Sequence, residues 1–122
     1  MDLQATLVEL ERAGWQSLVD GTGRAYFRDR LVDDAAVLVP GSGVVAGLAT
    51  GADALDRISG ASWAWFRIRA PKLVVLADTV AVLAYRVVAR RDFDVEYQAV
   101  VSSTYVTDGA DWKLAIHQQT PV

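Results

Sequence analysis

Thr79-Val80-Ala81-Val82-Leu83-Ala84-Tyr85-Arg86-Val87-Val88-Ala89-Arg90-Arg91 is the stretch on which the fold turns. Its side chains sort with a period of two, the spacing of a strand. The same period runs to either side. Trp63–Ala77 reads as a long strand before it, with Pro71 marking a bulge or an edge. Asp78-Thr79 is the tight turn between the two. Asp92–Asp94 is the next turn, Val95–Thr107 the third strand, Asp108-Gly109-Ala110 a further turn and Asp111–Gln119 the last strand. Four strands joined by short turns predict an antiparallel meander.

Upstream the period changes. Leu3, Leu7, Leu10, Gly14 and Leu18 recur at spacings of three and four, which predicts a helix from residue 2 to about 19. Asp2 suits its N-cap and Gly21 its stop. Trp15 lies beside the stripe. Gly14 costs helix stability and lets another element approach. Gly23–Leu31 reads as a second short helix burying Tyr26, Phe27 and Leu31, broken at Asp33-Asp34. Ala35–Val39 reads as a short buried strand ended by Pro40-Gly41-Ser42-Gly43. Thr50–Ile58 reads as a third helix capped by Thr50. Helices first and a meander last define the α+β class.

Composition bounds the function. The 122 residues carry 52% hydrophobic and 22% charged side chains, which predicts one well-cored domain over 1–122 rather than disorder. Twelve Lys+Arg against fifteen Asp+Glu give a net charge of −3, without the basic signature of a nucleic-acid binder. With no cysteine, disulfides, zinc thiolates and thiol nucleophiles are excluded. A single histidine excludes a multi-histidine metal site within one chain, and no metal or cofactor is expected. The longest apolar region, Leu73–Tyr85, is interrupted and too short to span a membrane. The acidic, amphipathic start does not read as a secretory signal, so the expected location is the cytoplasm.

Alternation assigns the strand faces. Tyr85, Val87, Ala89 and Arg91 form one set; Tyr97, Ala99, Val101, Ser103 and Tyr105 a second; Ala115, His117 and Gln119 a third. If they share a face, small side chains leave room there and polar groups need partners in it. The opposite set, Val88, Val100, Val106, Trp112, Leu114 and Ile116, is apolar where solvent is expected. Either a second copy covers it, giving a twofold homodimer, or it is itself the core.

Two segments then carry a resemblance. Leu31-Val32-Asp33-Asp34-Ala35-Ala36-Val37 and Asp111-Trp112-Lys113-Leu114-Ala115-Ile116-His117-Gln118-Gln119-Thr120-Pro121, in this order and at this length, resemble the nuclear transport factor 2-like superfamily. They are closest in style to its SnoaL-like and ketosteroid-isomerase-like members, in a branch of unknown function. The resemblance covers nearly the whole chain. It implies a cone of three helices on a curved, mostly antiparallel sheet; it does not imply an activity, because this fold hosts enzymes, binders and assembly domains. In ketosteroid isomerases a carboxylate follows the Asp-Asp-Ala motif, a tyrosine sits on the first helix and a carboxylic acid on the third long strand. The matching positions here are Val39, Trp15 and Ser103. None of these can do the same proton chemistry.

Other signals are weaker. Ser102-Ser103 with His117 lacks a nucleophile-elbow pattern. Gly41–Gly47 lacks the Lys-Ser/Thr of a phosphate loop and reads as a turn. Trp63, Trp65 and Phe66 either wall a ligand or pack in the core or a dimer contact, with Trp63 and Trp65 on one face. Arg90-Arg91 reads as a solvated hairpin end, and Asp33-Asp34 as a turn. The reading is a cone cavity for a small, largely apolar organic ligand, lined by Trp15, Trp63, Tyr85, Ser103, Tyr105, His117 and Gln119. The alternative is an isomerase, cyclase or dehydratase with His117 as acid–base and Tyr85 or Tyr105 as donor. A third is a non-catalytic dimerisation module.

Overall fold

In a computed structural model, residues 2–40, 48–91 and 95–122 are described. Asp2 accepts a hydrogen bond from the backbone N–H of Gln4 at 3.0 Å and starts helix α1, Leu3–Asp20. Gly21, at φ 79°, ends it in the left-handed conformation that glycine adopts without penalty. Helix α2, Gly23–Arg28, crosses α1 at Gly14, where an added Cβ would lie 3.0 Å from Phe27 Cζ. The missing side chain is what lets the Phe27 ring seat.

Strand β1 is Leu31–Leu38, β2 Leu48–Thr50 and helix α3 Ala52–Ser59. Then come β3, Trp65–Ala77; β4, Val80–Arg90; β5, Tyr97–Thr107; and β6, Trp112–Pro121. The strands form one six-stranded sheet in the order β2-β1-β6-β5-β4-β3. All neighbours pair antiparallel except β1 and β6. Curved, with the helices on its inner face, the sheet is the α+β architecture expected from the sequence.

Several expectations need correction. The second helix stops at Arg28, and Leu31 already begins β1, so Asp33-Asp34 lie within a strand as exposed residues rather than breaking a helix. The two aspartates fall at the register shift between Leu31 and Ala36, and the pairs of those residues with Leu114 and Ile116 of β6 carry the strand through them. Thr50 pairs with Ala36 in β2 and does not cap α3; Gly51, at φ 59°, takes the cap position. Trp63 precedes β3 and is buried, while Trp65 opens β3 and is 40% exposed, so the two do not share a face. The turns expected at Gly41–Gly43 and Asp92–Asp94, and the Gly41–Gly47 stretch, lie outside the described residues.

Bulges in β3 and β6 set the side-chain parity around the site. In β3, Arg69 pairs with Arg86 and Lys72 with Ala84, leaving Ala70 and Pro71 opposite the single residue Tyr85. Ala70 has φ 53°, and the proline occupies a position that owes no ladder hydrogen bond. In β6, Thr104 pairs with Ile116 but Tyr105 pairs with Leu114, so Ala115 is the extra residue. That slip turns Leu114 inward, where it is 1% exposed. Leu114 therefore belongs to the core with Leu7, Val37, Leu83 and Val87, and not to the outer apolar set. Val100 and Ile116 do remain exposed on the outer face. No helix among the described residues is long and apolar enough to cross a membrane.

Candidate functional site

Helix α1 supplies the group around which the site is built. Leu7, Glu11, Gly14, Trp15 and Leu18 are buried along one stripe, so a carboxylate sits in the middle of an apolar helix face. Glu11 is 4% exposed. Burying an ionisable group is costly unless it is hydrogen-bonded, and three hydroxyls converge on it. Tyr85 of β4 and Ser103 of β5 each donate to Oε1 at 2.6 Å, and Tyr105 of β5 donates to Oε2. Ser103 and Tyr105 reach the same carboxylate because residues two apart on a strand share a face. The indole N–H of Trp15, one turn beyond Glu11, donates to the Tyr85 oxygen at 2.9 Å.

His117 joins from β6. It is the register partner of Ser103, and its Nδ1 lies 2.8 Å from Ser103 Oγ and 3.7 Å from Glu11 Oε1. Hydrogen counting fixes the directions. The Ser103 hydroxyl has one proton and gives it to Glu11, so it accepts from His117 Nδ1–H. His117 Nε2 then carries a lone pair and accepts from the Gln119 amide at 3.0 Å, while the Gln119 carbonyl accepts from the Tyr97 hydroxyl at 2.9 Å. The chain thus runs Tyr97, Gln119, His117, Ser103, Glu11 with every donor matched to an acceptor.

The electrostatics agree. Burial lowers the His117 pKa below its ordinary 6.5, opposed by the Glu11 charge, so the imidazole is neutral at pH 7. Burial and then Glu11 push Tyr85 and Tyr105 well above the ordinary phenol range, which keeps both hydroxyls as donors.

Above this network opens a cavity of about 980 Å³, the size of a small-molecule site. Trp15, Trp63, His117 and Gln119, all expected on its wall, are there, together with Tyr97, which strand alternation puts on the same face, and with Glu11 and Arg57, which sequence reasoning did not place. Trp63 packs against Trp15 and Tyr97 with ring centroids 5.7 and 5.2 Å apart, making an aromatic wall. Tyr85, Ser103 and Tyr105 do not line the cavity. They stand behind Glu11 and hold it. Val39, at the position of an isomerase carboxylate, is on the wall and brings no acid. The buried acid of the cavity wall is Glu11, on α1. Among the described residues no cluster of His, Cys, Asp and Glu could hold a metal ion.

No family model matches the chain, and no curated protein matches it in sequence. Solved structures match it closely in shape. A candidate ketosteroid isomerase from Parabacteroides distasonis aligns over 99% of this chain and 89% of its own, with a TM-score of 0.79 at 17% identity. An NTF2-like protein from Cytophaga hutchinsonii aligns over the full length of both, with a TM-score of 0.79 at 9% identity. The calcium/calmodulin kinase II hub homology domain of Chlamydomonas reinhardtii covers 100% of this chain and 99% of its own, with a TM-score of 0.79 at 14% identity. The chain therefore has the nuclear transport factor 2-like fold, as the two sequence segments implied. Neighbours of such different kinds carry no activity across to it.

Proposed function

We propose that this protein binds a small, largely apolar organic molecule in the cone cavity. One observation carries the reading: an open cavity walled by Trp15, Trp63 and Tyr97 that ends on the polar trio Glu11, His117 and Gln119. Pockets with apolar walls and a few placed polar groups are the usual form of a small-molecule site. The test uses a neutral aromatic probe, 2-naphthamide, at millimolar concentration against protein labelled with ¹⁵N. The reading expects the indole N–H signals of Trp15 and Trp63 to shift while that of Trp65, on the outer face, stays. Movement of Trp65 alone, or of none, overturns it.

A second reading is favoured by the His117–Ser103–Glu11 line. His117 Nε2 is a neutral imidazole lone pair at the cavity, backed through Ser103 by a carboxylate. If Gln119 turns aside, Nε2 can take a proton from a ligand, and Glu11 stabilises the cation formed. This is the acid–base work of an isomerase or dehydratase, with His117 as base and no part for Tyr85 or Tyr105 beyond holding Glu11. His117→Gln separates the two readings: binding of an apolar ligand persists under the first, and turnover vanishes under the second.

The partner proposed for the outer sheet face is a second copy of the chain. Val74, Val100 and Ile116 are each about two-fifths exposed there, and among the structural neighbours are proteins described as hub and association domains. The cytoplasm remains the location proposed from the sequence.

A further inference from the structure

We infer that the ligand of this cavity is an acid, an apolar body carrying one carboxylate, and that Arg57 receives it. The inference rests on the cavity reading and names the ligand class for it. Arg57 lies in the last turn of α3 and lines the cavity. Its Nη1 is buried and has no hydrogen-bond partner, the only buried side-chain nitrogen or oxygen among the described residues in that position. The polar groups at the inner end of the cavity are paired: Glu11 takes three hydroxyls, and His117 and Gln119 take each other.

The acids on the same helix do not neutralise Arg57. Asp56 Oδ1 accepts from Arg24 Nη1 at 2.5 Å. Asp53, one turn back on α3 and exposed, forms no ion pair with Arg57. A second cation, Arg91, lies on the same cavity with its guanidinium carbon 4.6 Å above the Trp63 ring. No ion pair among the described residues engages it. The cavity wall carries two guanidinium groups and three carboxylates, of which Glu11 is saturated by the hydroxyls behind it, Asp56 is paired with Arg24 and Asp53 is exposed to solvent. A guanidinium nitrogen withdrawn from water without an acceptor, as Arg57 Nη1 is, is unfavourable. Its planar fork suits a carboxylate in a two-pronged contact. An aromatic or alicyclic acid would lay its body along Trp63 and Trp15 and its charge toward Arg57, leaving any further polar group for His117 and Gln119.

The test is a matched pair of probes, 2-naphthoate and 2-naphthamide, titrated into the ¹⁵N-labelled protein and into Arg57→Met. The inference expects the acid to shift the Trp63 indole signal at a dissociation constant about tenfold below that of the amide, the gain of one charge-assisted contact. In Arg57→Met the acid should fall to the affinity of the amide, with the amide unchanged. Equal affinities in the wild-type protein overturn the acid and leave the cavity reading standing. A preference for the acid that survives Arg57→Met overturns the role of Arg57. Absence of any Trp63 shift with either probe overturns the cavity reading itself. The wild-type comparison decides the ligand class even if the variant fails to fold.

Discussion

The Glu11 carboxylate and the His117 imidazole stand 3.7 Å apart, with the Ser103 hydroxyl bonded to both. A helix and two strands separated by up to 106 positions in sequence meet at this point. The arrangement joins helix to sheet and sets the polar end of the cavity, so the network that ties the fold together also faces the proposed site.

Glu11→Gln should keep the fold and lose about 1–3 kcal/mol, the cost of mispaired buried donors. An amide offers one acceptor oxygen where the carboxylate served Tyr85, Ser103 and Tyr105. Glu11→Ala should cost more, because it strands all three hydroxyls and opens a void. Urea unfolding of the two variants beside the wild-type protein checks the order. A Glu11→Gln protein as stable as the wild type would mean that the carboxylate is not the anchor.

The sequence made much of this legible. The strand period, the Pro71 bulge, Asp2 and Gly21 as caps and Gly14 as a contact point all follow from local chemistry, and each is in the structure. Glu11 is hidden when the helical stripe runs through Leu10; a stripe through positions 7, 11, 14 and 18 puts an acid among apolar residues. The Ala115 bulge hid Leu114, since one extra residue reverses every face beyond it and leaves no mark in the hydrophobic pattern. Arg57 enters the cavity through the tertiary packing of α3, which periodicity does not encode, whereas Tyr97 follows from the alternation along β5.

Acid should destabilise the protein through His117. The unfolded chain protonates its histidine near pH 6.5, while burial makes the folded chain resist the proton to lower pH. The unfolded state then binds more protons in that window, so stability is complete above pH 6.5 and falls as pH drops below it, until the folded imidazole is itself charged. The slope is at most about 1.4 kcal/mol per pH unit. His117→Gln should flatten the stability curve between pH 6.5 and the onset of carboxylate titration. A variant with the same slope as the wild type would place the effect elsewhere.

Tyr85→Phe removes a donor from Glu11 and the acceptor of the Trp15 indole N–H at once. A loss of about 1–3 kcal/mol is expected from the stranded groups, with an upfield shift of the Trp15 indole proton. Tyr105→Phe removes one donor only and should leave that proton in place. Identical indole spectra for wild type and Tyr85→Phe would contradict the hydrogen bond.

Gly14→Ala should not bring the gain of about 1 kcal/mol that alanine gives in an exposed helix. Its Cβ would meet the buried Phe27 ring at 3.0 Å, and Tyr26, packed edge-on to that ring, is tied to the Leu10 carbonyl at 2.7 Å. Thermal unfolding should show a lower midpoint than the wild type. A raised midpoint would show that α2 can shift away freely.

If the outer sheet face joins two copies, Ile116→Lys should yield a folded monomer, because the side chain is 42% exposed in one chain and a charge there costs nothing until a partner arrives. Light scattering after size exclusion reads the mass, and circular dichroism the fold. A dimer that survives both Ile116→Lys and Val100→Lys would exclude this face.

The most direct test of the central claim is a crystal structure grown with 2-naphthamide at millimolar concentration. The account predicts the naphthyl ring against Trp15 and Trp63, with its amide turned toward His117 and Gln119. A cavity holding only water, with the probe seated on the outer face beside Trp65, would contradict it.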